Sequence, residues 1–211
     1  MKGYLITFEG GDGCGKSTHF KLFLDFLKEN NIDFYSAREP GATPFAECIR
    51  NITKAPEYAD KSALSELFLY ETARADLTEK FLLPALNEGK IVVLDRFYDS
   101  TLAYQGYGRG YDIETIKLLN KIATNNLVPN LTLWFNLNPE EAFARNGGVD
   151  VNDVMETAGL DFHKRVHDGY KQIALENKDR VVEIVPEGTI EETQQKVRDI
   201  FCSKFKGIIN E

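Results

Sequence analysis

Residues 10–18 read GGDGCGKST, and their types and spacing suit the holding of phosphate. Gly10, Gly15, Lys16 and Ser17 fill the fixed places of the pattern G-x-x-x-x-G-K-[ST]. The glycines allow a tight curl in which backbone N–H groups point inward as a nest for anionic oxygens. A helix opening at Lys16 adds its positive N-terminal end. Lys16 can reach terminal phosphates, and the Ser17 hydroxyl suits Mg²⁺. Gly11, Asp12, Gly13, Cys14 and Thr18 complete the expected contacts of a nucleotide loop. Phosphate binding alone does not choose among an ATPase, a GTPase switch and a kinase. The guanine-reading pattern Asn-Lys-x-Asp is absent from the sequence.

The choice rests on a second set of charges. Arg38 closes an extended run in AREPGAT, Arg96 follows another in VVLDRFYDS, and Arg74 sits in the helical stretch ELFLYETARAD. One such arginine alone is an ordinary surface charge. Two at the carboxyl ends of separate strands can clamp a phosphate through bidentate bonds. Tyr70 and Arg74 are four apart and share a helix face. An aromatic plane beside a guanidinium suits a nucleobase, while a core-facing Tyr with a solvated Arg is the competing reading. Asp95, last in KIVVLD, can orient a phosphate oxygen or hold metal-bound water. Asp12 can meet a sugar hydroxyl or the metal shell.

The elements that must position these residues alternate. Strands are expected at Tyr4–Phe8, Asp33–Arg38, Lys90–Asp95, Leu131–Leu137 and Arg180–Val185. Helices are expected at Ser17–Glu29, from Thr43-Pro44 to Thr53, from Ser62 with a bend near Pro84, at Asp112–Asn125, from Asn138-Pro139, at Gly159–Asn177 and at Thr189–Lys206. QGYGRG, residues 105–110, reads as a flexible turn. That alternation implies an α/β fold of three layers: a five-stranded parallel sheet covered by helices on both faces. Ligands in such folds sit at the carboxyl ends of the strands.

Composition sets the outer limits. The chain has 211 residues, 43% of them hydrophobic, with a formal net charge of −8. A single domain over residues 1–211 is expected. The acidic balance argues against a broad nucleic-acid-binding face. No apolar run is long enough to span a membrane. The 3 cysteines show no CxxC spacing, which suits a reducing cytoplasm.

FEGGDGCGKST, AREPGAT, ELFLYETAR, LDRFYDSTLAYQGYGRG and DFHKRVHDGY, in that order, resemble the thymidylate kinases. The resemblance covers about Phe8 to Tyr170 and implies the P-loop kinase fold, a mobile lid near residues 146–160 and a homodimer. It implies transfer of the γ-phosphoryl of ATP to dTMP with Mg²⁺, within dTTP synthesis. Arg38 and Arg96 match the clamp on the dTMP phosphate. Tyr70 matches the ring that stacks on thymine, and Arg74 the group at the base edge. Thr101 and Tyr104, with Gln105 beside them, match positions facing the pyrimidine and sugar. Lys16, Asp95 and Arg96 take the catalytic roles, with Ser17 and Asp95 toward the metal.

Members of that family carry a further arginine in the loop after the Asp, or in the lid. Here Gly13 follows Asp12, and residues 146–163 contain no Lys or Arg. The remaining candidates are Arg145, Lys164 and Arg165, and Arg145 is assigned the role. A relative with weak or no transfer, or a kinase for another pyrimidine monophosphate, are the alternative readings.

Overall fold

YLITFEG is apolar on both faces of an extended chain, which suits a strand covered on both sides. In the computed structural model, which describes residues 3–145 and 158–208, that run is the central strand of the sheet. The strands are β1 (Tyr4–Gly10), β2 (Phe34–Arg38), β3 (Ile91–Asp95), β4 (Leu131–Phe135) and β5 (Val181–Ile184). They pair in parallel in the order β2-β3-β1-β4-β5. Leu5, Ile6, Phe8, Val92, Val93, Leu94, Leu131 and Leu133 have no or almost no exposed surface. Each contributes about 1.5–3 kcal/mol by leaving water.

The helices are α1 (Lys16–Glu29), α2 (Pro44–Lys54), α3 (Ala63–Leu77), α4 (Leu83–Asn87), α5 (Tyr98–Thr101), α6 (Ile113–Ala123), α7 (Pro139–Arg145), α8 (Leu160–Glu176) and α9 (Ile190–Lys204). His19, Phe23 and Leu27 recur every four residues on α1 and face the sheet. Phe23 is fully buried, and Phe20 and Phe26 pack against the same cluster. Thr43 caps α2 by accepting from the Ala46 N–H at 2.9 Å, with Pro44 in the first turn. The bend expected near Pro84 is absorbed by a wide π-turn, Thr78–Leu82, just before α4. Widening the turn relieves the clash between a proline ring and the preceding carbonyls.

One segment departs from the sequence reading. Leu102–Gly108 is π-helical and continues α5, so QGYGRG begins in a helix rather than a flexible turn. Its glycines serve close packing. A Cβ on Gly108 would lie 2.6 Å from the Phe162 ring and 2.9 Å from Val166. The segment expected to form a lid, residues 146–160, lies mostly outside the described residues, as does the side chain of Arg145.

Candidate active site

The phosphate loop follows β1. Gly10 has φ 146°, and a Cβ there would lie 2.8 Å from the Phe135 carbonyl oxygen, so only glycine fits. The cap of α1 is Gly15, at φ 85°, with no side-chain hydrogen bond. The first turn of α1 therefore presents its own N–H groups rather than a side-chain cap, an arrangement that can receive an anion. Cys14 is buried beside Phe135 in the core cluster rather than in the cavity, and burial pushes its thiol up. Lys16 is 6% exposed and forms an ion pair with Asp95 at the end of β3.

The strand order puts the second set of charges next to that loop. Phe8 of β1 and Arg38 of β2 are both register partners of Asp95 on β3. Arg96, directly after Asp95, has φ 69°, a left-handed backbone rare for a side chain of this size, held by its N–H on the Phe8 carbonyl at 2.9 Å. Its guanidinium donates to the Gly10 carbonyl at 2.9 Å and to Asp12 Oδ1 at 2.6 Å, and lies over the Tyr104 ring. Burial works against ionisation of Asp12, yet Arg96 and then Lys16 hold its carboxyl below the ordinary range. Tyr104 donates to the other Asp12 oxygen at 3.2 Å.

Arg74, buried on α3, is held by four side chains. Its Nε donates to Glu39 at 2.9 Å, Nη1 to Glu71 at 2.8 Å and Asn120 at 3.0 Å, and Nη2 to Thr101 at 2.9 Å. A guanidinium has five N–H groups, so these bonds account for four of them. Gln105 is bonded to Glu66 at 3.0 Å. Arg38 is more exposed, and its Nη2 donates to both oxygens of Glu47 at 3.1 and 2.9 Å. Burial, opposed by Arg74, pushes the Glu39 carboxyl up to about 7.

One cavity of about 250 Å³ joins these groups. Its walls include Asp12, Lys16 and Ser17 of the loop, Arg38, Asp95 and Arg96 at three strand ends, and Tyr70, Arg74, Thr101, Tyr104 and Gln105 from the helices. The structure thus brings together the charged and aromatic side chains that the sequence singled out, apart from Arg145, while Cys14, in the core, and Thr18 lie outside the cavity wall. The two other candidate cations point elsewhere: Lys164 bonds Glu140 at 2.6 Å, and Arg165 donates to the Gly108 carbonyl at 3.1 Å. Arg109 lies over Phe162 and 3.5 Å from Glu66, outside the cavity wall.

The sequence reading missed several groups. Arg50 and Lys54 of α2 also line the cavity, and Arg50 donates to the Pro40 carbonyl at 3.1 Å. Arg50 lies on the helix that directly follows the strand ended by Arg38, and turns back to the Pro40 carbonyl just past that strand end. Glu9 is fully buried under the loop. It accepts from the Phe97 N–H at 2.7 Å, the Ser100 hydroxyl at 2.6 Å and the Tyr170 hydroxyl at 2.9 Å. Burial first, then Asp99, pushes the Glu9 carboxyl up to about 7. The only sequence signal was a carboxylate ending an otherwise apolar strand.

His163 packs between Phe143 and Phe162, His167 bonds Asn136 at 2.6 Å, and no cluster of three metal-ligating side chains occurs among the described residues. Ser17 and Asp95, with Asp12 nearby, offer the hard oxygen donors that suit Mg²⁺ beside phosphates. No helix among the described residues is long and apolar enough to cross a membrane.

A phosphate loop on this parallel sheet, facing arginines across one cavity, defines a P-loop kinase fold. The family model described as thymidylate kinase matches residues 8–197. The thymidylate kinase of Finegoldia magna is 43% identical over 196 residues, covering 93% of this chain and 93% of that protein. That of Exiguobacterium sp. is 41% identical over 206 residues, covering 98% and 97%. The crystal structure of thymidylate kinase from Ehrlichia chaffeensis superposes with a TM-score of 0.76 at 32% identity, covering 95% of this chain and 99% of that one. The chain belongs to the thymidylate kinase family, and it is an enzyme of that family.

Proposed function

We propose that the enzyme transfers the γ-phosphoryl group of ATP to the phosphate of dTMP, giving ADP and dTDP. The observation that carries this reading is the single cavity where the phosphate loop meets Arg38, Arg74 and Arg96 beside Tyr70. An oxygen of the dTMP phosphate attacks the γ-phosphorus, and the bond to the β-γ bridging oxygen breaks as ADP leaves. The acceptor oxygen is already anionic, so no strong base is needed. What the protein supplies is alignment and cancellation of charge. Lys16 and the loop N–H groups hold the ATP phosphates. Arg38 and Arg96 hold the acceptor phosphate, Tyr70 stacks on thymine, and Arg74 offers its remaining N–H to the base. Thr101, Tyr104 and Gln105 shape the wall beside base and sugar. Ser17 and Asp95 would hold Mg²⁺, which neutralises phosphate charge when bound.

Arg145 is the cation assigned to the transferring group, since Lys164 and Arg165 are engaged elsewhere. In that role Arg145→Ala lowers kcat much more than it raises KM for dTMP; an unchanged kcat removes the assignment. A homodimer is supported by Phe45, Ile52, Leu64, Phe68, Leu118 and Ile122. All are exposed apolar side chains on α2, α3 and α6. Sedimentation at dilute and concentrated protein tests it, a single monomer at both ends counting against it. The free cysteines Cys14, Cys48 and Cys202 suit a cytoplasmic enzyme, and the one five-stranded sheet supports a single catalytic domain.

The deciding assay is ADP release with ATP and Mg²⁺ against dTMP, dUMP, UMP, dCMP and GMP, with Lys16→Ala as control. Turnover selective for dTMP is expected. Equal turnover of dUMP points to a broader pyrimidine kinase. Tight binding of both nucleotides without turnover points to a relative that has lost transfer.

A further inference from the structure

Two rungs join α3 to α5 and the π-helical segment that continues it. Arg74 donates to the Thr101 hydroxyl at 2.9 Å, and the Gln105 amide nitrogen donates to Glu66 Oε1 at 3.0 Å. Glu66, Tyr70 and Arg74 are four residues apart on α3 and share one face, so Tyr70 falls between the rungs. None of the four rung residues is more than 3% exposed. Tyr70, Arg74, Thr101 and Gln105 line the substrate cavity, whereas Glu66 stands behind Gln105, outside the cavity wall.

A glutamine amide has two ends of nearly equal shape, a carbonyl that accepts and an NH₂ that donates. Glu66 decides which end turns toward it. Its carboxylate lies in the first turn of α3, 3.5 Å from Arg109 and 4.0 Å from Lys61. The helix end and the two cations match its negative charge, and a carboxylate only accepts. The Gln105 nitrogen is thereby drawn to Glu66, and the carbonyl oxygen is the end left for a ligand. Arg74 has the opposite polarity: four of its five N–H groups are taken, and the fifth is a donor.

We propose that Glu66 is a positioning residue for base selection: by holding the Gln105 amide nitrogen it turns Gln105 Oε1 toward the base. The wall then offers one acceptor, from Gln105, and one donor, from Arg74. The inference rests on the reading of this cavity as the dTMP site. Thymine complements the wall, its N3–H donating to Gln105 and its O4 accepting from Arg74. Cytosine reverses both groups, so that acceptor meets acceptor and donor meets donor. Uracil shares the edge of thymine, so Glu66 does not separate dTMP from dUMP.

The test is calorimetric binding of dTMP and dCMP to the full chain, as wild type and as Glu66→Gln. The substituted amide can donate as well as accept, which frees Gln105 to turn over and present N–H to cytosine N3. The ratio of Kd for dCMP to Kd for dTMP should fall about tenfold, the weight of one mispaired hydrogen bond. Gln105→Leu should lower the same ratio, and adding Glu66→Gln to it should change the ratio no further, because Glu66 acts through Gln105. A merely structural role weakens both nucleotides alike; an unchanged ratio in Glu66→Gln therefore overturns the proposal, as does a further fall in the double variant. N3-methyl-dTMP tests the unaltered protein: blocking the N3–H should weaken binding about tenfold or more, and affinity equal to that of dTMP overturns the proposal. A wild type that binds neither nucleotide, or both equally, refutes the dTMP-site reading along with this inference. A selective wild type whose ratio survives Glu66→Gln removes the role of Glu66 alone.

Discussion

Arg96 donates to Asp12 Oδ1 at 2.6 Å while its own backbone sits in the left-handed region at φ 69°. The turn after β3 and the phosphate loop after β1 are therefore tied by one side chain. The same guanidinium also bonds the Gly10 carbonyl and lies over Tyr104. A lysine could carry the charge but could not make this planar set of bonds. Arg96→Lys is expected to lower kcat/KM for dTMP by about 100-fold, in line with loss of one preorganised charge-stabilising group. Steady-state kinetics at fixed saturating ATP reads this, and a change below threefold would argue against the tie.

Lys16 is a second such group. Its ammonium is buried and set between Asp95 and the loop. Lys16→Ala should depress kcat by at least about 100-fold, with the fold intact by circular dichroism. Retained turnover would show that loop N–H groups alone suffice.

Glu9 and Glu39 give the protein an acid-side stability term. Both carboxyls are pushed up to about 7 by burial. In the unfolded chain a glutamate loses its proton near about 4.3. Between those values the folded protein binds more protons, so stability falls as pH rises. The contribution is complete below the unfolded value and gone above about 7. Tm measured across that window should fall less steeply in Glu9→Gln and least in the double variant with Glu39→Gln. Parallel curves for wild type and double variant would refute the assignment.

Gly108 is packed against Phe162 and Val166 at distances no Cβ can share. Gly108→Ala should cost about 1–3 kcal/mol through overpacking, visible in chemical denaturation. An unaltered midpoint would mean that α8 can shift freely from the π-helical segment.

Thr189 and Glu192 form a reciprocal capping box on α9, far from the cavity. Thr189→Ala should cost about 1 kcal/mol in stability and leave kcat untouched. A matching loss of activity would reveal an unexpected link between α9 and the site.

The sheet was legible because its strands are apolar runs between helical periods, and the loop because its glycines have fixed spacing. Arg38 and Arg96 were legible because each ends a strand. Glu9, Ser100 and Tyr170 were not, since their bond network joins β1, α5 and α8 across more than a hundred and fifty residues of chain. Nothing in the local sequence of Asn120 tells that it meets Arg74. QGYGRG misled for a related reason: glycine marks both loose turns and tight packing, and only the neighbouring helix α8 decides between them.

The register of β1 and β3 acts as a ruler. Phe8 pairs with Asp95, so Arg96 leaves β3 at a fixed step short of Gly10, where β1 passes into the phosphate loop. Adjacent strands are about 4.8 Å apart, a distance set by backbone hydrogen bonds and common to every sheet. The span between donor and acceptor anchors is thereby gauged by the main chain. Side chains around the cavity can change, and with them the choice of nucleotide, without altering that gauge.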